Sequence, residues 1–263
     1  MYYTELPKDC DKAVQGFVEK CKQEHIPVDM FNLSSGYSTG SDGLRYIFNW
    51  DKNRFPDVKG WFKSMKAQGV LVCPNVKPGM LITHANYSEF KDYFIQKEDG
   101  NPFVGYWWGG PGSYIDFTNE KAREKYAQML KANYLDHNCE TIWNDNNEYD
   151  QVDPNTICNN EGKPIPSQAV KTAQSLMMSY TTKQVLLRAN RNQRPFVVSR
   201  SGSAGIQRYA QTWAGDNATS WASLKFNMAT MLNSGLSGLI NTGCDVGGFV
   251  GPRPNEELFV RWV

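Results

Sequence analysis

Short apolar runs alternate with amphipathic segments along nearly the whole chain, and that alternation most narrows what it can fold into. The stretches "IPVDMFNL" (26–33), "VLVCPN" (70–75), "ETIWND" (140–145), "PFVVSR" (195–200), a short run near 209–213 and "LSGLIN" (236–241) read as strands. They are close to continuously apolar, the mark of strands buried on both faces. Helical patterns lie between them. In "AVQGFVEKC", Val14, Phe17, Val18 and Cys21 share one face. In "DVKGWFKSMKAQG", Val58, Trp61, Phe62 and Met65 do the same, with Asp57 as N-cap and Gly69 as stop. A helix capped by Asn119, a long one over about 167–190, one near 219–234 ended by Gly235, and a last one in "NEELFVRWV" complete the series. Strand-then-helix repetition implies a parallel sheet covered by helices. A doubly wound sheet and a (β/α)8 TIM barrel both fit. No G-x-G-x-x-G follows the first strand, which weighs against the dinucleotide-binding version. The strand ends weigh for the barrel. They run into "SSGYSTG", "NVKPG", "NDNNE", "SRSGSAG", "WAGDN" and "NTGCDVGGF", and barrels build their sites from such tips.

Bulk properties exclude several classes. The 263 residues carry a formal net charge of +1, which gives no electrostatic footprint for nucleic acid or an anionic membrane. No apolar run is long enough to span a bilayer. The start, "MYYTELPKDCDK", has no apolar signal core, so a cytoplasmic location is expected. Six cysteines (Cys10, Cys21, Cys73, Cys139, Cys158 and Cys244) form no C-x-x-C pair, and only three histidines are present. That pattern predicts no metal, no other cofactor and isolated thiols rather than a disulfide framework. Eight Trp and thirteen Tyr fit either a bulky core or a site that grips flat apolar faces. Asn86-Tyr-Ser and Asn217-Ala-Thr match the short glycosylation pattern.

The acids at the strand tips are few: Asp145, Glu148, Asp216 and Asp245. A single Asp at a strand end is usually a turn or cap residue. Several acids at several tips, interleaved with Trp108, Trp143 and Trp213, suit glycoside hydrolysis. There one ionised carboxylate attacks the anomeric carbon and a second, protonated, acid serves the leaving oxygen.

These residues resemble glycoside hydrolase family 31, the retaining α-glucosidase and α-xylosidase family. "WNDNNE" (143–148) looks like its W-x-D-x-N-E signature, and "FNWDKNRFPD" (48–57) and "YIDFTN" (114–119) match two earlier blocks. "RPFVVSRSGSAGIQRYAQTWAGDNATSW" (194–221) and "GCDVGGFVG" (243–251) match two later ones. The resemblance implies a TIM-barrel hydrolase that cleaves a terminal α-linked hexose by double displacement on an oligosaccharide or α-glycoside substrate. It puts Asp145 at the nucleophile position and Asp216 at the general acid/base position. Arg200 matches the arginine that contacts substrate and nucleophile, and Asp245 a supporting acid. Trp108, Trp143, Trp213 and Phe249 match aromatic walls of the first sugar subsite. Glu148 is expected to order its loop, and Tyr37 and Asn144 are further candidates for the pocket. Transfer to another sugar, or sugar binding without turnover, are the alternatives.

Two departures from the family pattern stand out. Typical α-glucosidases of the family carry an acid at the second strand's tip that holds the sugar's far hydroxyls. "NLSSGY" (32–37) offers Ser34 and Ser35 instead, and "NVKPGM" (75–80) offers Lys77, either a sugar contact or a solvated loop residue. An ordinary glucoside is therefore not expected to be the preferred substrate. The second departure is extent. The chain, one barrel domain over 1–263, matches about six or seven of the eight strands and none of the family's flanking β-sandwich domains. On that reading it is incomplete, with open sheet edges, and not competent alone.

Overall fold

The structure is a computed structural model, and it describes residues 8–107, 109–190 and 192–263. Six parallel strands form one curled sheet: β1 (Met30–Leu33), β2 (Leu71–Val76), β3 (Thr141–Asn144), β4 (Phe196–Ser199), β5 (Gln211–Trp213) and β6 (Thr242–Gly243). Their order in the sheet is their order in the chain, as the successive β/α units of a barrel require. Helices α1 (Cys10–Gln23), α2 (Val58–Ala67), α3 (Glu120–Asn133), α4 (Ser167–Ala189), α5 (Trp221–Leu236) and α6 (Glu256–Trp262) alternate with them. Among the described residues this is six of a barrel's eight strands, in line with the six or seven expected from the sequence.

Local chemistry accounts for the helices. Asp57 caps α2 by accepting the Gly60 N–H at 2.9 Å, and Asn119 caps α3 by accepting that of Lys121 at 3.0 Å. Helix α2 buries Trp61, Phe62 and Met65, and α1 buries Val14, Val18 and Cys21. Phe17 of α1 meets Phe31 of β1 edge-on. Most of the aromatic excess is core. Tyr37, Trp50 and Tyr134 pack as one cluster. The Tyr37 hydroxyl donates to the carbonyl of Asn75 at 2.6 Å and pairs with the Tyr134 hydroxyl. The five cysteines other than Cys244 are buried, and all six are free thiols. No described helix is long and apolar enough to cross a membrane.

Two features depart from the sequence reading. The last strand is not 236–241. Helix α5 runs through Gly235 to Leu236 and turns at Gly238, whose φ of +85° supplies the left-handed stop, so pairing begins only at Thr242. Residues between β2 and α3 also build a small antiparallel sheet from Gly79–Leu81, Gly105–Trp107 and Gly110–Tyr114. Gly112 permits its closest approach, since a Cβ there would lie 2.6 Å from the Met80 carbonyl oxygen.

Register sets the tips side by side. Asn75 pairs with Trp143, Asn144 with Ser199, and Trp213 with Gly243. The ladder continues one residue past the strands: the N–H of Asp145 donates to the Val76 carbonyl at 3.0 Å, and that of Arg200 to the Asn144 carbonyl at 2.9 Å. Lys77, Asp145 and Arg200 thereby converge at one end of the sheet.

Candidate active site

A cavity of about 280 Å³ opens at that end, lined among others by Ser35, Asn75, Lys77, Trp143, Asp145 and Asn146 from the first three tips. Arg200, Trp213, Asp216, Cys244, Asp245 and Phe249 line it from the later ones. The described residues given catalytic or sugar-binding roles from sequence are thus present, with one exception. Ser34 is fully buried and does not line the cavity, whereas the next residue, Ser35, does. Ser34 is the last extended residue and Ser35 opens a 3-10 helix (Ser35–Ser38), and on extended backbone successive side chains point to opposite sides. The same rule removes a further candidate. Trp143 and Asp145 face the cavity, while Asn144 between them turns to α4, where it bonds Ser179 and Thr182. Tyr37 belongs to the aromatic core. Trp108 lies outside the described residues.

Asp145 is the best-held carboxylate. It is 6 % exposed. Its Oδ2 accepts from Lys77 Nζ at 2.6 Å and from Asn75 Nδ2 at 2.7 Å. Its Oδ1 has no hydrogen-bond partner among the described residues, and Arg200 Nη1 stands 3.6 Å from it. Burial on its own raises a carboxyl pKa, but the Lys77 ammonium, the Asn75 amide and Arg200 more than offset it and hold Asp145 below its ordinary value. Lys77 is therefore no solvated loop residue. It is itself 6 % exposed and also donates to Asn146 Oδ1.

Arg200 ties the acids together. Its Nε bonds Glu148, and its Nη1 reaches both oxygens of Asp216 at 3.2 Å. Glu148 thus anchors the arginine. Because Nη1 touches both, Asp145 Oδ1 and the Asp216 oxygens are no further apart than the sum of the 3.6 Å and 3.2 Å legs. Asp245 sits in the same wall with its carboxyl raised to about 6, first by burial and then by the charge of Asp216. Trp143 and Trp213 meet edge-to-face at 5.4 Å, and Phe249 stands at the rim, 40 % exposed. Two further buried polar atoms on lining residues, Asn75 Oδ1 and Trp143 Nε1, have no hydrogen-bond partner among the described residues. With Asp145 Oδ1 they make three such buried polar atoms on lining residues. Sequence reasoning missed Asn75, Asn146 and Cys244. Asn75 was legible in principle, because it is the polar residue that ends the apolar run "VLVCPN".

A parallel β/α sheet whose tips converge carboxylates, a guanidinium and indoles on one cavity places the domain in the TIM-barrel class, with a candidate site at the strand tips. The model of the glycosyl hydrolases family 31 TIM-barrel domain matches residues 3–263. The chain belongs to that family. It is similar to alpha-glucosidase 2 of Bacillus thermoamyloliquefaciens (34 % identity, covering 100 % of this chain and 33 % of the relative). It is also similar to human neutral alpha-glucosidase C (32 %, 91 % and 27 %). Among solved structures, glucosidase II alpha subunit superposes with a TM-score of 0.85 at 28 % identity, over 97 % of this chain and 29 % of that one. A Flavobacterium johnsoniae GH31 dextranase, at 20 % identity and a TM-score of 0.84, shares the fold. The chain spans a third or less of the length of these relatives.

Proposed function

We propose that this domain carries the catalytic centre of a retaining α-glycoside hydrolase that removes a non-reducing terminal α-linked hexose. The observation that carries the reading is the asymmetry of Asp145: one oxygen is held by two hydrogen-bond donors, while the other has none among the described residues and faces Arg200 at 3.6 Å. A lone pair on Oδ1 attacks the anomeric carbon while the bond to the leaving oxygen breaks and Asp216 gives that oxygen its proton. The product is an alcohol and a β-linked glycosyl ester on Asp145. Water then attacks the same carbon, Asp216 takes its proton, and the bonding pair returns to Asp145, restoring both carboxyl groups with net retention. The ceiling on the Asp145–Asp216 separation supports this choice: it accommodates the about 5–5.5 Å of retaining enzymes and falls short of most of the roughly 6.5–9.5 Å range of inverting ones. The relatives, α-glucosidases by name from bacterium to human, support α-glycosides as the substrate class.

A 5-fluoro-α-hexosyl fluoride, whose glycosyl ester turns over slowly, tests the assignment. Peptide mapping is expected to find the sugar on Asp145. A label on another residue, together with an active Asp145→Ala variant, refutes it.

A further inference from the structure

We infer that Lys77 is a positioning residue that selects which oxygen of Asp145 reacts and stabilises the carboxylate each time the glycosyl ester breaks down. The inference rests on the reading of Asp145 as nucleophile. Lys77 follows β2 and Asp145 follows β3, and the β2–β3 register brings their side chains together in a water-poor cavity wall. The ammonium lies 2.6 Å from Oδ2 and bridges to Asn146, whose backbone is left-handed at φ 48°. Asn75 supplies the second bond to the same oxygen. A carboxylate gripped twice on Oδ2 offers only Oδ1 for bond formation, and Arg200, at 3.6 Å, is the cation facing that side.

The grip has unequal effects on the two chemical steps. In the first, Asp145 passes from carboxylate to neutral ester, so a lysine on Oδ2 favours the starting state. In the second, the C–Oδ1 bond breaks and negative charge returns to the carboxylate, so the same lysine lowers the barrier. Lys77 therefore makes Asp145 a weaker nucleophile and a better leaving group. The remaining charged groups around Asp145 are Arg200 after β4, Glu148 on its own loop, and Asp216 and Asp245 after β5 and β6. Of these, only Arg200 shares the work of Lys77. Burial alone drives the Asp145 carboxyl up, and Lys77 is the leading influence against it.

The experiment compares wild type, Lys77→Met and Lys77→Arg in the full-length gene product, with a dinitrophenyl α-hexoside hydrolysed by the wild type. Lys77→Met is expected to move the acidic limb of kcat/KM to higher pH. It is also expected to slow breakdown of the ester on the order of 10²-fold, so that dinitrophenolate is released in a burst of one equivalent and mass spectrometry finds glycosylated enzyme at steady state. Lys77→Arg keeps the charge and is expected to leave the limb in place; it carries the test if the Met variant does not fold. A folded Lys77→Met with an unmoved limb, no burst and only a raised KM makes Lys77 a sugar contact and overturns the inference. A shifted limb in Lys77→Arg overturns it too. Fluorosugar labelling of wild type away from Asp145 is a different result, which sinks the nucleophile assignment itself.

Discussion

Asp245→Asn should stabilise the domain at neutral pH while impairing its chemistry. Burial and the neighbouring Asp216 lift the Asp245 carboxyl from 3.8 to about 6. Below the ordinary value the group is protonated in both folded and unfolded chains, and it contributes nothing to their difference. As pH rises, the unfolded chain gives up its proton first, so stability falls until the native carboxyl has also ionised, above about 6. A tenfold change in proton affinity between the two states is worth about 1.4 kcal/mol, so the full penalty comes to about 2–3 kcal/mol. Asparagine has the same shape and no charge to desolvate. The bonds that fix this turn, from Gly248 N–H and Asn217 Nδ2, go to the main-chain carbonyl of residue 245 and survive the change. Thermal melts of variant and wild type should nearly coincide around pH 4 and separate by roughly 5 °C or more at pH 8. Turnover should fall over the same range, because a negative charge beside the cationic transition state is gone. A variant no more stable than wild type at pH 8, or a gap of equal size at both pH values, refutes the reasoning.

Two further outcomes are expected. Asp216→Ala should retain most first-step activity on dinitrophenyl glycosides and lose it on poor leaving groups, and azide should restore turnover as the α-glycosyl azide; equal impairment on both substrates counts against the acid/base role. At the tip of β1 the cavity wall carries Ser35 and no acid, so a panel of nitrophenyl α-hexosides should rank the glucoside below another sugar. A large preference for the glucoside shows that some other group holds the far hydroxyls.

Much of the architecture could be read from residue patterns because it rests on strong local signals. The runs that became β2, β3 and β4 are apolar enough to declare burial on both faces, and Asp57 and Asn119 announce their helices by capping chemistry. The small antiparallel sheet was hidden because "GML", "GYW" and "GPGSY" are short and rich in glycine and show no sustained alternation. Strand β6 was misplaced because "LSGLIN" is apolar, yet its first residue ends a helix and the pairing it precedes is only two residues long. At the site, the acids were legible from composition and position. Which member of Ser34–Ser35 reaches the cavity depends on how the chain leaves β1, and whether Lys77 meets solvent or Asp145 depends on the register of β2 against β3. Those are tertiary facts with no local signature.

The joining of the strand tips has a consequence for how activity appears during folding. Lys77 and Asp145 lie 68 positions apart, and Arg200 and Glu148, like Asn147 and Ser199, 52 apart. None of these bonds can form until the intervening loop has closed and the strands on either side have found register. Helices α2 and α3 can form early from their own caps, but the pocket is assembled wholly from late, non-local contacts. On refolding of the full-length gene product, the regain of turnover is therefore expected to lag the regain of helical signal, so that hydrolysis would report the closing of these long-range contacts rather than bulk structure.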